Sequence, residues 1–315
     1  MSSNIVYPKI EWPEGKRFAF TIFDDTDYGT VGNLRPVYDF LAEHGFRTTK
    51  SVWPIKGTDT PICGGDTCDN KPYLDWVLSL KRAGFEIGYH MATYHTSTRE
   101  QTKIGLDRFA ELFGGPPATM ANHSGCRENI YWGGARLTGV NRLGYNLATR
   151  FRYNSRFTGH VEGDPLFWGD LCRERICYVR NFVFSDINTL AACPYMPYHD
   201  PSRPYVNNWF ASSEGPEINS FIDTLSEDNQ DRLEAEGGAC IMYTHLACGF
   251  VENGKLTERF VSLMKRLRAK NGWFVPASTL LDFLRGRNGG YQITPAERIR
   301  LERRWLKHKF RVGHS

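Results

Sequence analysis

The feature that most restricts the fold of this chain is a regular alternation, starting near its amino end, of short apolar, β-branched runs with longer stretches of helical spacing. Phe18 to Phe23 is strand-like, and Asn33 to Glu43 then places Leu34, Val37, Tyr38 and Leu41 at helical intervals before His44-Gly45. Phe46 to Trp53 reads as a second strand, and a Gly-, Pro- and Asp-rich loop leads from it to a helix carrying Leu74, Val77, Leu78 and Leu80. Phe85 to Tyr89 and a helix from about Thr98 to Phe113 form a third unit, and Ala118 to Asn122 is a fourth strand. Later strands are Arg175 to Phe184, Ala239 to Tyr243 and Trp273 to Val275, the last preceded by a helix from Thr257 to Ala269. Repeated βα units predict parallel strands inside a layer of helices, either a closed barrel or a doubly wound sheet. The stretch from about 124 to 216 breaks the rhythm and is rich in Tyr, Trp, Asn, Arg and Pro.

In α/β barrels the reactive groups sit at the carboxyl ends of the strands. Here those ends read Phe23-Asp24-Asp25-Thr26-Asp27, Gly88-Tyr89-His90, Ala121-Asn122-His123 and Tyr243-Thr244-His245, and this convergence of acids and imidazoles favours the barrel. Adjacent carboxylates repel in a partly desolvated site unless a cation or a proton shares their charge. Taken alone, Asp24 to Asp27 is equally a solvated turn or a helix cap. With His90 and His95 beside it, the set suits zinc or another first-row divalent ion with positions left open for water and substrate. One aspartate can then hold the ion while its neighbour, pointing to a different side, takes a proton from water.

Thr21-Ile22-Phe23-Asp24-Asp25 resembles the Thr-Phe-Asp-Asp motif that opens the polysaccharide deacetylase (NodB-like) superfamily, and on this basis the chain resembles a divergent member. The resemblance covers roughly residues 17 to 286 and implies a (β/α)7-type, distorted or incomplete TIM-like barrel. It also implies that Asp24 is the catalytic base and Asp25 a metal ligand. Glu86-Ile87-Gly88-Tyr89-His90 is similar to the second motif, whose two metal-binding histidines fall on His90 and His95. These are five residues apart where the family has four, and on a helix five steps turn a side chain by about 140°. His123 is therefore the alternative third ligand. Ala239 to Leu246 resembles the last motif and implies that His245 is the general acid for the leaving amine.

The middle motifs are altered. Where an Arg-x-Pro-Tyr sequence is expected the chain reads Ala121 to Asn129, which offers Asn122 and Arg127 as substrate contacts, and Gly163 to Asp170 offers Trp168 and Asp170 in place of the fourth motif. The implied activity is hydrolysis of a carbon-nitrogen amide bond, foremost N-deacetylation of a saccharide or saccharide intermediate, by water activated on one divalent metal. Zinc is the first expectation, with Co, Fe, Mn or Ni open. A non-catalytic carbohydrate-binding barrel and a hydrolase of non-sugar amides are the alternatives.

Composition narrows the partners. Among 315 residues, 39 basic side chains against 35 acidic ones leave a net charge of only +4, too little for a nucleic-acid partner. Most of the excess gathers between Glu297 and Arg311, which sets residues 291–315 apart as a basic C-terminal helix or tail from a 1–290 barrel domain. Thr294-Pro295-Ala296-Glu297 is a helix start, and Ile299, Leu301, Trp305, Leu306 and Phe310 follow among the cations. Such a helix can lie on an anionic membrane or a partner protein, or it can pack on the barrel. Met1 to Trp12 has neither the basic nor the apolar region of a signal, and no run approaches ~18 apolar residues. The expectation is a cytoplasmic protein, with the eight cysteines mostly thiols.

Overall fold

The computed structural model describes residues 10–312. Seven parallel strands form a barrel: β1 (Phe18–Asp24), β2 (Thr49–Val52), β3 (Glu86–Tyr89), β4 (Thr119–Met120), β5 (Tyr178–Phe184), β6 (Asn208–Glu214) and β7 (Ala239–Thr244). Each pairs with the next in chain order. The circle closes where β7 pairs with β1, from Ala19 opposite Ala239 to Asp24 opposite Thr244. This is the (β/α)7 architecture implied by the resemblance. A further parallel strand, Gly272–Phe274, pairs with the first residues of β1.

Every residue of β1, β5 and β6 is buried, as expected of parallel strands covered on both faces. The sequence reading did not foresee β6. Its residues, Asn-Trp-Phe-Ala-Ser-Ser-Glu, carry their polar half into the interior, so neither alternation nor an apolar run marks them. The helices were easier to see, because their ends have local causes. α1 (Val31–Glu43) starts on a capping box between Thr30 and Asn33, and α3 (Arg99–Phe113) on one between Thr98 and Gln101. α2 (Lys71–Arg82) lies between them.

The C-terminal helix, Pro295–Val312, is docked on the barrel over the described range. Leu301 and Trp305 are buried, and the Trp305 ring lies 5.4 Å from Phe182 of β5 and 5.9 Å from Tyr145 of the helix Gly139–Ala148. Glu302 is wholly buried. It accepts hydrogen bonds from the Thr138 N–H and hydroxyl and from Asn141, and pairs with Arg203 at 3.4 Å. The apolar side of this helix therefore packs as one of the two readings had it, while Arg303, Arg304, Lys307 and Phe310 remain exposed. Trp305→Ala is expected to lower stability by about 3–5 kcal/mol, as large-to-small changes in cores do. A urea-unfolding loss below about 1 kcal/mol would mean that the helix is dispensable to the fold.

Among the described residues no helix is long and apolar enough to cross a membrane. The first nine residues, on which much of the signal-sequence reading rested, lie outside the described range. All eight cysteines are free thiols.

Candidate metal centre

Successive side chains on a strand leave on opposite faces, and the Asp24-Asp25 pair is split in this way. Asp24, the last residue of β1, turns outward under α1. It is fully buried, accepts from the Tyr38 hydroxyl at 2.9 Å and from the Leu246 N–H at 2.8 Å, and pairs with Lys50 of β2 at 3.2 Å. Burial pushes its pKa up against the opposing pull of Lys50. Asp25 turns into the barrel, where Arg180 of β5 donates to both of its oxygens at 2.9 and 2.5 Å. The Arg180 guanidinium is itself held 4.3 Å from the Tyr243 ring centre and 5.2 Å from that of Phe23.

Beyond β1 the chain turns sharply. Tyr28 takes a left-handed conformation, φ 60°, and its N–H donates to the Gly64 carbonyl at 2.7 Å. This turn folds Asp27 back over the barrel mouth. Asp27 Oδ1 lies 3.2 Å from His90 Nε2 and 3.0 Å from His123 Nδ1, and the two nitrogens are 3.3 Å apart. Its Oδ2 is 3.2 Å from His245 Nε2. Burial alone would raise the Asp27 pKa, but the three imidazoles outweigh it and hold the carboxyl well below the usual range.

Asp27, His90 and His123 form a buried group of potential metal ligands. Ligands about 2.0–2.1 Å from a tetrahedral ion stand about 3.3–3.4 Å from one another, close to the spacings found here. Asp27 Oδ1 is also buried without a well-directed hydrogen bond. The residues present thus fit a divalent cation. Their positions are firmly set. Trp53, wholly buried at the end of β2, lies edge-on to His123 at 5.3 Å and tilted against His90 at 6.2 Å. Met91, next to His90, holds φ 68°, a conformation that a non-glycine residue adopts at a cost and that often accompanies functional sites.

His245 follows β7 and flanks the group. Its Nδ1–H donates to the Pro216 carbonyl at 2.8 Å, so Nε2 faces Asp27. Burial opposes its charge, yet Asp27 and Asp25 outweigh burial and raise its pKa to about 9.

No family profile matches the chain, and no curated protein matches it in sequence. Solved structures do match in shape. A Mycobacterium smegmatis protein assigned as a polysaccharide deacetylase superimposes with a TM-score of 0.50 at 12% identity, over 90% of this chain and 95% of that one. A Pseudomonas aeruginosa PAO1 protein assigned likewise gives 0.51 at 12% identity, over 91% and 96%. The chain has the polysaccharide deacetylase fold.

Within this deacetylase fold the ligand group differs from the one expected. Asp25, His90 and His95 were anticipated, and the structure gathers Asp27, His90 and His123. His95 is committed elsewhere: its Nε2 accepts from the Thr58 N–H at 2.9 Å and its Nδ1–H donates to the Thr96 carbonyl at 2.7 Å. The loop beyond Met91 carries it away, and His123, the alternative, is the imidazole grouped with His90 and Asp27. Asp24 is likewise sealed under α1 rather than placed at the mouth.

The proposed substrate contacts also have other partners. Asn122 braces its own loop by bonding the carbonyl and N–H of Ile130 at 3.1 and 2.9 Å. Trp168 is buried and donates to the Glu128 carbonyl at 2.7 Å. Asp170 pairs at the surface with Arg99 at 2.6 Å, and Arg127 is exposed. Three residues of importance escaped the sequence reading as individuals: Asp27, Lys50 and Arg180. Lys50 and Arg180 did leave a signal, since a cation inside a buried strand requires a buried partner.

The two histidines separate the ligand sets experimentally. His123→Ala is expected to weaken divalent-cation binding by at least about 10-fold, the scale on which even outer partners of a metal matter. His95→Ala should change it less than about twofold, measured by titration with cobalt or zinc. The opposite ranking would restore His95 as the ligand.

Proposed function

We propose that the chain is a divergent member of the polysaccharide deacetylase superfamily and hydrolyses a carbon-nitrogen amide bond, foremost an N-acetyl group on a saccharide or saccharide intermediate. The observation that carries this reading is the flanking of one ligand-spaced group, Asp27, His90 and His123, by a carboxylate and an imidazole at the same barrel mouth. A divalent cation held by these three residues, zinc by preference for mixed imidazole and carboxylate ligands, would polarise the amide carbonyl and make a water acidic enough to deprotonate near neutral pH.

Asp25 is the base in this reading. Its Oδ1 lies 3.9 Å from His90 Nδ1, so it borders the ligand group, and the paired bonds from Arg180 fix its orientation. Each carboxylate oxygen can accept more than one hydrogen bond, which leaves Asp25 able to take a proton from water. The water oxygen adds to the amide carbon, and the carbon-nitrogen bond breaks. His245, drawn toward its protonated form by Asp27 and Asp25 and aimed by Pro216, gives its proton to the departing nitrogen. The products are a carboxylic acid and a free amine. Asp24 transfers no proton here; through the Leu246 N–H it anchors the residue next to His245.

Treating the protein with a chelator should abolish release of acetate from N-acetylated saccharides, and adding back zinc, cobalt or manganese should restore it. A purified protein that binds no divalent cation in equilibrium dialysis would end this reading.

A further inference from the structure

A cavity opens beside the loop that carries His123. It has a volume of about 190 Å³ and is lined by Ser124 and Gly125, which directly follow His123, together with the cationic Arg136, Arg156 and Lys309 and the aromatic Trp132 and Trp305. Its size is far above the ~10–15 Å³ that one water requires. Arg136 is only 5% exposed. Its guanidinium lies 3.2 Å from the Trp132 ring centre and 5.3 Å from that of Trp305, while Nε and Nη2 are buried with no hydrogen-bond partner. Trp305, which also lines the cavity, has its Nε1 buried in the same condition. Burial pulls the Arg136 pKa down to about 9, so at neutral pH the group is a buried cation whose charge no carboxylate among the described residues meets.

Buried cations without partners are rare in folded proteins, because the desolvation of the charge is not returned. Nor does the fold leave Arg136 free to escape into solvent. Arg203 grips its main chain through the Arg136 carbonyl at 2.6 Å and the Ala135 carbonyl at 3.2 Å. Two unpaired donors from separate elements, a planar guanidinium suited to bidentate contact with oxyanions, and aromatic walls that can stack on a ring describe a site for an acidic group attached to an apolar or ring-shaped body.

We infer that this cavity receives an anionic substituent, a carboxylate or a phosphate, of the same saccharide whose amide the barrel mouth hydrolyses. The inference rests on the proposed hydrolase reading and narrows its substrate class to acidic N-acylated sugars.

The test is calorimetric titration of the metal-loaded protein with three probes that share one N-acetylated ring: N-acetylglucosamine, its 1-phosphate, and N-acetylmuramic acid. At least one acidic probe should bind ten-fold or more tightly than the neutral one, and whether it is the phosphate or the carboxylate identifies the substituent. Arg136→Met should remove most of that preference, and Trp305→Phe, which keeps an aromatic ring but removes the N–H, should reduce it. Equal affinity for all three probes would overturn the assignment. A preference that survives Arg136→Met in a protein with an unchanged melting temperature would do the same. Arg136-dependent binding of acidic sugars with no hydrolysis of any of them would leave the cavity standing and remove the hydrolase reading. Asp25-dependent hydrolysis that is indifferent to the acidic group would do the reverse.

Discussion

On the proposed hydrolase reading, Asp25→Asn is expected to lower kcat by about 10²- to 10⁴-fold, the usual worth of a positioned general base, while divalent-cation binding is retained. The separation follows from geometry. Asp25 is held by Arg180 and borders the ligand group, whereas Asp27 supplies the oxygen that both His90 and His123 face at 3.2 and 3.0 Å. Asp27→Asn should therefore remove cation binding and turnover together. Measuring bound metal alongside acetate release tells the two roles apart. Normal turnover in Asp25→Asn would defeat the assignment of the base. So would a fall of the same size in Asp24→Asn, measured where that variant is fully folded, since that would return the role to Asp24.

The second large effect belongs to Asp24 and Lys50. Both side chains are wholly buried, 3.2 Å apart, and paired across the β1–β2 register. Removing one partner of such a pair strands the other charge away from water, so Lys50→Met is expected to cost about 3–5 kcal/mol. The double variant Asp24→Leu with Lys50→Met should regain only part of that loss, because neither charge is then stranded but the Tyr38 hydroxyl and the Leu246 N–H lose their acceptor. Urea unfolding of the two single variants and the double one forms the cycle that measures the coupling. A single-variant loss below about 1 kcal/mol, or strictly additive losses, would show that the ion pair does not hold the first strand in place.

These two experiments bear on the same pair of aspartates, whose division of labour the sequence marked only incompletely. Two adjacent acids after a buried strand announced a site, and strand alternation required that they face different ways. Which of them faced the barrel axis depended on partners far along the chain. Arg180 lies 155 residues from Asp25, and the Leu246 N–H 222 residues from Asp24. Nothing local to Phe23-Asp24-Asp25 distinguishes a side chain that will meet Lys50 and Tyr38 from one that will meet Arg180.

The histidines show the same limit. His90, His123 and His245 each end a strand that the apolar pattern revealed, so their arrival at one mouth followed from the barrel itself. His95 looked equivalent in sequence, but a loop beyond a strand has no fixed direction, and hydrogen bonds to the backbone of Thr58 and Thr96 hold it elsewhere. Asp27 was hidden for the converse reason. It sits in a turn, and only the left-handed Tyr28 and its bond to Gly64 bring it back over the imidazoles.

The amino-acid sequence by itself determined the alternation of strands and helices, the capped starts of α1 and α3, the parallel run of strands and the four strand ends where chemistry gathers. These depend on side-chain periodicity and on hydrogen bonds between residues three apart, both of which act over short stretches of chain. Tertiary structure alone decided the strand β6, the exchange of His95 for His123, the inward turn of Asp25, the entry of Asp27 and the enclosure of Arg136 between Trp132 and Trp305. Each of those is fixed by the desolvation of a polar group and the partner it must then find, and that partner is supplied by segments brought together only when the barrel closes.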